Sequence, residues 1–90
     1  MRKQYVIGNW KMHGSKTFVT ELLSNIKDFV QKNQSNVNII VCPPYVFLDQ
    51  TQIMLKKSQL QWGGQNMAAE QEGPYTGEIS TLRLYEVGCR

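Results

Sequence analysis

Apolar residues in this chain gather into short continuous runs and into one longer stretch with a helical repeat. Tyr5-Val6-Ile7, closed by Gly8, is a short, partly β-branched run that predicts a buried strand. Val37 to Cys42 (Val-Asn-Ile-Ile-Val-Cys) predicts a second, and its near-continuous hydrophobicity suits a parallel strand covered on both faces. Leu60 to Asn66 is a weaker third, in which Gly63 and Gly64 point to a close approach to the backbone. Between the first two runs, Phe18, Val19, Leu22, Leu23, Ile26, Phe29 and Val30 recur at helical spacing, with Lys16, Glu21, Lys27 and Asp28 on other faces. Pro43-Pro44 stops the second strand and opens another helix, on which Phe47/Met54 and Leu48/Leu55 share a stripe. Ser80 is placed to N-cap a third helix, Ile79 and Leu84 stand where a hydrophobic staple would sit, and Gly88 is placed to end it.

The order is strand-helix, three times over, and such units build a parallel sheet with right-handed crossovers. The fold class is α/β, and the pattern fits either an open doubly wound sheet or part of a (β/α)8 barrel. Residues 1–90 show no linker or internal boundary, so they form one domain or part of one.

Composition narrows the partners. With 41% hydrophobic and 19% charged residues the chain is globular in type. Its net charge of +3 comes from ten Lys and Arg spread from Arg2 to Arg90, adjacent only at Arg2-Lys3 and Lys56-Lys57. A nucleic-acid surface needs a clustered basic face, so a small anionic substrate fits better. Cys42 and Cys89 read as reduced thiols of a cytoplasmic protein rather than a disulfide framework. Behind Met1-Arg2-Lys3 there is no apolar region of signal-peptide length, and no stretch approaches the roughly 20 apolar residues of a membrane helix. The expectation is a cytoplasmic protein without nucleic-acid or membrane partners.

In parallel α/β folds, ligands sit at the C-terminal ends of the strands. The first strand ends in Gly8-Asn9-Trp10-Lys11-Met12-His13-Gly14, the second in Cys42-Pro43-Pro44, and the third in Gly64-Gln65-Asn66 with a long polar stretch from Met67 to Glu78. Lys11 offers an ammonium that can neutralise a phosphate or a developing oxyanion. Asn9 adds an amide two residues earlier, on the same side of an extended strand. On position alone, the ordinary reading is a solvated lysine and a turn-forming asparagine. His13, the only histidine, reads as a solvated turn residue with no Cys or carboxylate at metal-ligand spacing, so no metal site is expected. Glu70, Glu72 and Glu78 read as solvated loop carboxylates, and Gly63-Gly64 fits no phosphate-binding fingerprint.

Three segments together carry a resemblance. Gly8-Asn9-Trp10-Lys11-Met12-His13-Gly14, then Val41-Cys42-Pro43-Pro44, then Trp62-Gly63-Gly64-Gln65-Asn66 followed by Gly73-Pro74-Tyr75-Thr76-Gly77-Glu78-Ile79-Ser80, resemble the first three strand ends of the triosephosphate isomerase family, in order and with matching intervals. Gly64 and Pro74 depart from the family's usual alanine. The resemblance implies that residues 1–90 are the N-terminal (β/α)3 part of a TIM (β/α)8 barrel. It implies interconversion of dihydroxyacetone phosphate and D-glyceraldehyde 3-phosphate through an enediolate, in glycolysis and gluconeogenesis, with no metal or organic cofactor. Lys11 would be the catalytic group that holds the substrate's negative charge and stabilises the enediolate, and Asn9 would hydrogen-bond in the substrate pocket. A homodimer would form through the third loop, with Met12, Gln65, Thr76 and Glu78 at the interface and Thr76 meeting the neighbouring subunit's Asn-Lys loop.

The family's histidine electrophile and glutamate base have no counterpart here, since the histidine belongs to a Gly-His-Ser-Glu-Arg segment that would follow Val87-Gly88-Cys89-Arg90. His13 lies in the wrong motif to replace it. The chain covers about three of the eight units of a barrel of roughly 250 residues, so alone it is expected to be marginal or to associate, and to be inactive. Two other readings stand beside this one: a non-catalytic truncated or split piece, and a small phosphate-ligand-binding α/β domain.

Overall fold

Strands β1 (Gln4–Asn9), β2 (Val37–Cys42) and β3 (Gln61–Trp62) pair in parallel in the order β1-β2-β3, in a computed structural model that describes residues 4–32 and 37–89. The basic pair Arg2-Lys3 and Arg90 lie outside the described residues. β1 and β2 run side by side from Gln4↔Val37 to Asn9↔Cys42. β3 pairs only through Ile40↔Gln61 and Val41↔Trp62, and the Gly63 N–H then donates to the Val41 carbonyl (3.0 Å). Helix α1 (Lys16–Lys32) joins β1 to β2. A 3₁₀ turn over Tyr45–Phe47 leads into α2 (Leu48–Leu55), and α3 (Thr81–Glu86) follows the long third loop. Each connection between neighbouring parallel strands therefore contains a helix, as a parallel ladder requires.

The core lies between the sheet and the first two helices. Val19 and Leu23 of α1 are fully buried, with Ile26 and Val30 packed on the same cluster. Leu48 and Leu55 of α2 are buried, and Phe47 and Met54 pack against them, so the predicted stripe holds. Ile39 and Val41, two apart on β2, enter this cluster, whereas Ile40 between them does not. Fully burying side chains of this size stabilises by about 1.5–3 kcal/mol each. The buried Thr51 hydroxyl donates to the Phe47 carbonyl (2.8 Å), so it carries no desolvation deficit.

Three sequence expectations need correction. The first strand is not buried: Tyr5, Val6 and Ile7 are 53%, 56% and 62% exposed. β1 is an edge strand with β2 on one side only, and its three apolar residues are outside the core cluster. The α1 stripe is also narrower than predicted. Val19, Leu23, Ile26 and Val30 face the core, while Phe18 and Phe29 are exposed. Coverage of β2 is likewise partial, with only Val41 buried and the rest half-buried.

Local chemistry at α3 matches the prediction at both ends. Ser80 adopts extended backbone and its hydroxyl accepts from the Arg83 N–H (3.3 Å). Ile79 and Leu84 both join the core cluster, as a staple requires. At the other end Gly88 has φ +87°, its N–H donates to the Tyr85 carbonyl (3.0 Å), and the Cys89 N–H donates to the Leu84 carbonyl (3.1 Å). That is the paired pattern of a Schellman cap. A Cβ at Gly88 would lie 2.5 Å from Trp62 Cζ2, and that ring is pinned by its own N–H donating to the Val87 carbonyl (2.7 Å). Gly88→Ala is therefore expected to cost about 2–4 kcal/mol, combining left-handed backbone strain with overpacking. Urea unfolding followed by circular dichroism checks this. A loss below about 0.5 kcal/mol, ordinary for a surface substitution, would contradict it.

Candidate functional site

The C-terminal ends of the three strands converge on the segment Asn9–Gly14. β1 ends at Asn9, opposite Cys42 in the ladder. The Trp10 N–H still donates to the Cys42 carbonyl (3.1 Å), and the chain then turns sharply. Lys11 has φ +55°, the only described non-glycine residue with a positive value. This left-handed conformation costs a side-chain-bearing residue about 1–2 kcal/mol, and such strain concentrates at functional sites.

Three hydrogen bonds hold the turn. The Asn9 side-chain oxygen accepts from the Lys11 N–H (2.8 Å), capping the turn locally. From beyond β3, the Gln65 side-chain amide donates to the Lys11 carbonyl (2.7 Å) and to the Cys42 carbonyl (2.9 Å). Gly14 (φ +123°) then leads into α1, whose first turn is capped by Ser15, its hydroxyl accepting from the Phe18 N–H (3.1 Å). Ser15 was not singled out from the sequence, although a serine directly before a helical repeat is the ordinary signal.

Asn9 and Lys11 are thus brought together, but not for the reason given from sequence. The strand stops at Asn9, so the pair does not share one face of an extended segment; a turn places them side by side. Lys11 is solvent-exposed, which leaves its ammonium accessible to an anion at the strand ends. His13 is also exposed on the same loop. Among the described residues, no group of three or more His, Cys, Asp or Glu could hold a metal ion.

The second and third strand ends supply support rather than charge. Cys42 is half-buried, and burial pushes its thiol pKa up, partly opposed by a backbone hydrogen bond from Gly63. It is therefore a protonated thiol near neutral pH, and a poor nucleophile. The Tyr45 hydroxyl donates to the Asn66 carbonyl, tying the start of α2 to the end of β3. Burial raises the Tyr45 pKa, and the Glu78 carboxylate raises it further. Gly64 lies under Leu84: a Cβ there would be 2.8 Å from Leu84 Cδ2 and 3.3 Å from the Asn66 carbonyl oxygen. At Gly64 the expected close approach is that of α3, whereas a Cβ at Gly63 would meet only Cys42 Sγ, at 3.6 Å.

The third loop is closed at its base and open beyond it. The Ala68 N–H donates to the Ile79 carbonyl (2.7 Å), and Ala68 bridges to Ser80. Every residue from Ala69 to Glu78 is exposed. At the tip the Glu78 N–H donates to the Tyr75 carbonyl (3.0 Å) with Gly77 at φ +84°, which places Thr76 at the corner of a β-turn. Arg83 of α3 joins the loop to the helix through an ion pair with Glu72 (3.4 Å) and also pairs with Glu86 one turn along α3. Among the residues assigned to an interface, Thr76 and Glu78 stand on this exposed turn and Met12, 94% exposed, lies on the first loop. The Gln65 amide makes two bonds within its own chain.

Known proteins resemble this chain in sequence and in fold. The family model for triosephosphate isomerase matches residues 4–90. The triosephosphate isomerase of Nitrosomonas europaea is 45% identical over 89 residues, covering 99% of this chain and 35% of that protein. That of Dechloromonas aromatica is 47% identical over 90 residues, covering 100% of this chain and 35% of the relative. In structure, the chain is similar to the triosephosphate isomerase of Bartonella henselae, with a TM-score of 0.81 and 30% identity, covering 98% of this chain and 35% of that one. The chain spans about a third of the length of the curated relatives it matches. Strand order β1-β2-β3 alone is shared by a barrel and half of a doubly wound sheet; the structural neighbour decides for the barrel, of which these units are the N-terminal (β/α)3 part.

Proposed function

This chain belongs to the triosephosphate isomerase family, and from that premise we propose that it supplies one corner of an active site interconverting dihydroxyacetone phosphate and D-glyceraldehyde 3-phosphate through an enediolate. The observation that carries the proposal is the Lys11 turn: a lysine at a parallel strand's C-terminal end, in strained backbone held from two sides. Lys11 is the catalytic group of this corner. Its ammonium holds the substrate's negative charge and strengthens its interaction as charge develops on the enediolate oxygens. Asn9 uses its side-chain oxygen to cap the Lys11 N–H, which leaves its amide nitrogen as the donor for substrate.

The proton transfers belong to other residues. The family's glutamate base, neutral histidine and closing lid are its established chemistry and are not read from these residues. They have no counterpart among residues 1–90. The proposed domain is a single barrel of which residues 1–90 are the beginning, and the chain alone is catalytically silent. The reaction needs no metal or organic cofactor, and its place is the cytoplasm. The third loop, turned outward at Thr76, is the proposed homodimer contact, with Thr76 meeting the partner's Asn-Lys loop and Met12, Gln65 and Glu78 around it.

The test is a coupled isomerase assay on the complete protein that contains this sequence. Turnover of dihydroxyacetone phosphate is expected without added metal and in the presence of a chelator. A folded complete protein that binds triose phosphate without isomerising it would contradict the proposal and favour a phosphate-ligand-binding domain.

A further inference from the structure

We propose that Gln65 is a positioning residue for Lys11, setting where the ammonium stands by holding the strained peptide that carries it; this rests on the isomerase reading above. Lys11 is an ordinary side-chain-bearing residue in left-handed backbone, a conformation that persists only when its surroundings over-determine it. Its peptide is gripped at both ends. The N–H is held by Asn9, a neighbour on the same turn, at 2.8 Å. The carbonyl is held at 2.7 Å by Gln65, fifty-four residues further along the chain.

The Gln65 amide nitrogen has two hydrogens, and both have acceptors. The second goes to the Cys42 carbonyl at 2.9 Å, which also receives the Trp10 N–H at 3.1 Å. One side chain from the end of β3 therefore ties the β1 loop to the end of β2. The geometry demands a donor pair at this reach. Asparagine is one methylene shorter, leucine has the bulk but no hydrogens to donate, and an ionised glutamate would present oxygens to two carbonyl oxygens. Contact with a second subunit, the role that the family match gives Gln65, does not require either bond.

Gln65→Leu and Gln65→Glu in the complete isomerase are each expected to lower kcat/KM about 10–100-fold, the scale of a misplacement near 1 Å. The inhibition constant of inorganic phosphate, which engages the ammonium without needing proton transfer, is expected to rise in parallel. Crystal structures of the variants should show Lys11 leaving positive φ. Gly88→Ala, which acts on the cap under Trp62, serves as the stability control and should lower Tm without moving the phosphate constant. The proposal is overturned if both variants keep kcat/KM within about twofold of the wild type, if activity falls while phosphate inhibition and Lys11 φ stay unchanged, or if neither variant folds. A wild-type protein that does not turn over sinks the isomerase reading instead, and Gln65 is then judged by Lys11 φ alone, where a value still near +55° in the variants overturns it.

Discussion

Replacing Lys11 with methionine in the complete protein is expected to lower kcat/KM for the proposed isomerisation by about 10²–10³-fold or more while leaving Tm essentially unchanged. The size follows from losing a preorganised cation where charge develops, an effect of about that magnitude when a single stabilising donor is removed. A bond to a charged group is stronger than a neutral one, which sets the lower bound. Unchanged stability follows from the structure: Lys11 is exposed and outside the core, and surface substitutions of that kind stay within about 0.5 kcal/mol. Methionine keeps an unbranched side chain on the same left-handed backbone, so the Asn9 and Gln65 bonds to the Lys11 peptide need not change. Near-normal kcat/KM in Lys11→Met would show that Lys11 is outside the site. A large loss of Tm would show that the residue is structural.

The purified 90-residue chain, by contrast, is expected to show no isomerase turnover in the same assay. A positioned general base contributes about 10²–10⁴-fold, and a lid that excludes water strengthens every charge inside the site. The chain offers only the Asn9–Lys11 corner, open to solvent. Its surface also favours association. β1 presents an edge on which Tyr5, Val6 and Ile7 are more than half exposed. An open apolar groove of about 650 Å³ runs beside Gly63, Gly64, Met67, Leu84 and Cys89 at the other end of the sheet. Unpaired edges of this kind template pairing with another chain, so sedimentation should show species heavier than 10.4 kDa. Measurable turnover by this chain would contradict the assignment of the proton transfers to other residues, and a stable monomer would contradict the association.

What could be read from the sequence divides along the range of the interactions involved. The end of β2 at Cys42 was legible because Pro43-Pro44 cannot continue a ladder. Ser80, Ile79, Leu84 and Gly88 were legible because caps and staples are chemistry between near neighbours. Burial of β1 is not seen among the described residues, because an apolar run says that a strand can be buried, not what stands beside it. At the site, position at a strand end made Asn9 and Lys11 candidates only, and the resemblance to the triosephosphate isomerase family gave them their roles. Neither could show that Lys11 is left-handed, since no glycine or asparagine marks that position. Nor could they show Gln65 holding it, because a hydrogen bond spanning fifty-four residues leaves no local pattern.

The most direct test of the account is a crystal structure of the complete protein with a triose-phosphate analogue that carries a carboxylate in place of the enediolate. The Lys11 Nζ is expected about 2.7–2.9 Å from an analogue oxygen, with the Asn9 amide nitrogen also on the ligand and Lys11 still at positive φ. An analogue bound elsewhere, or bound at the strand ends with the Lys11 ammonium turned to solvent, would contradict it.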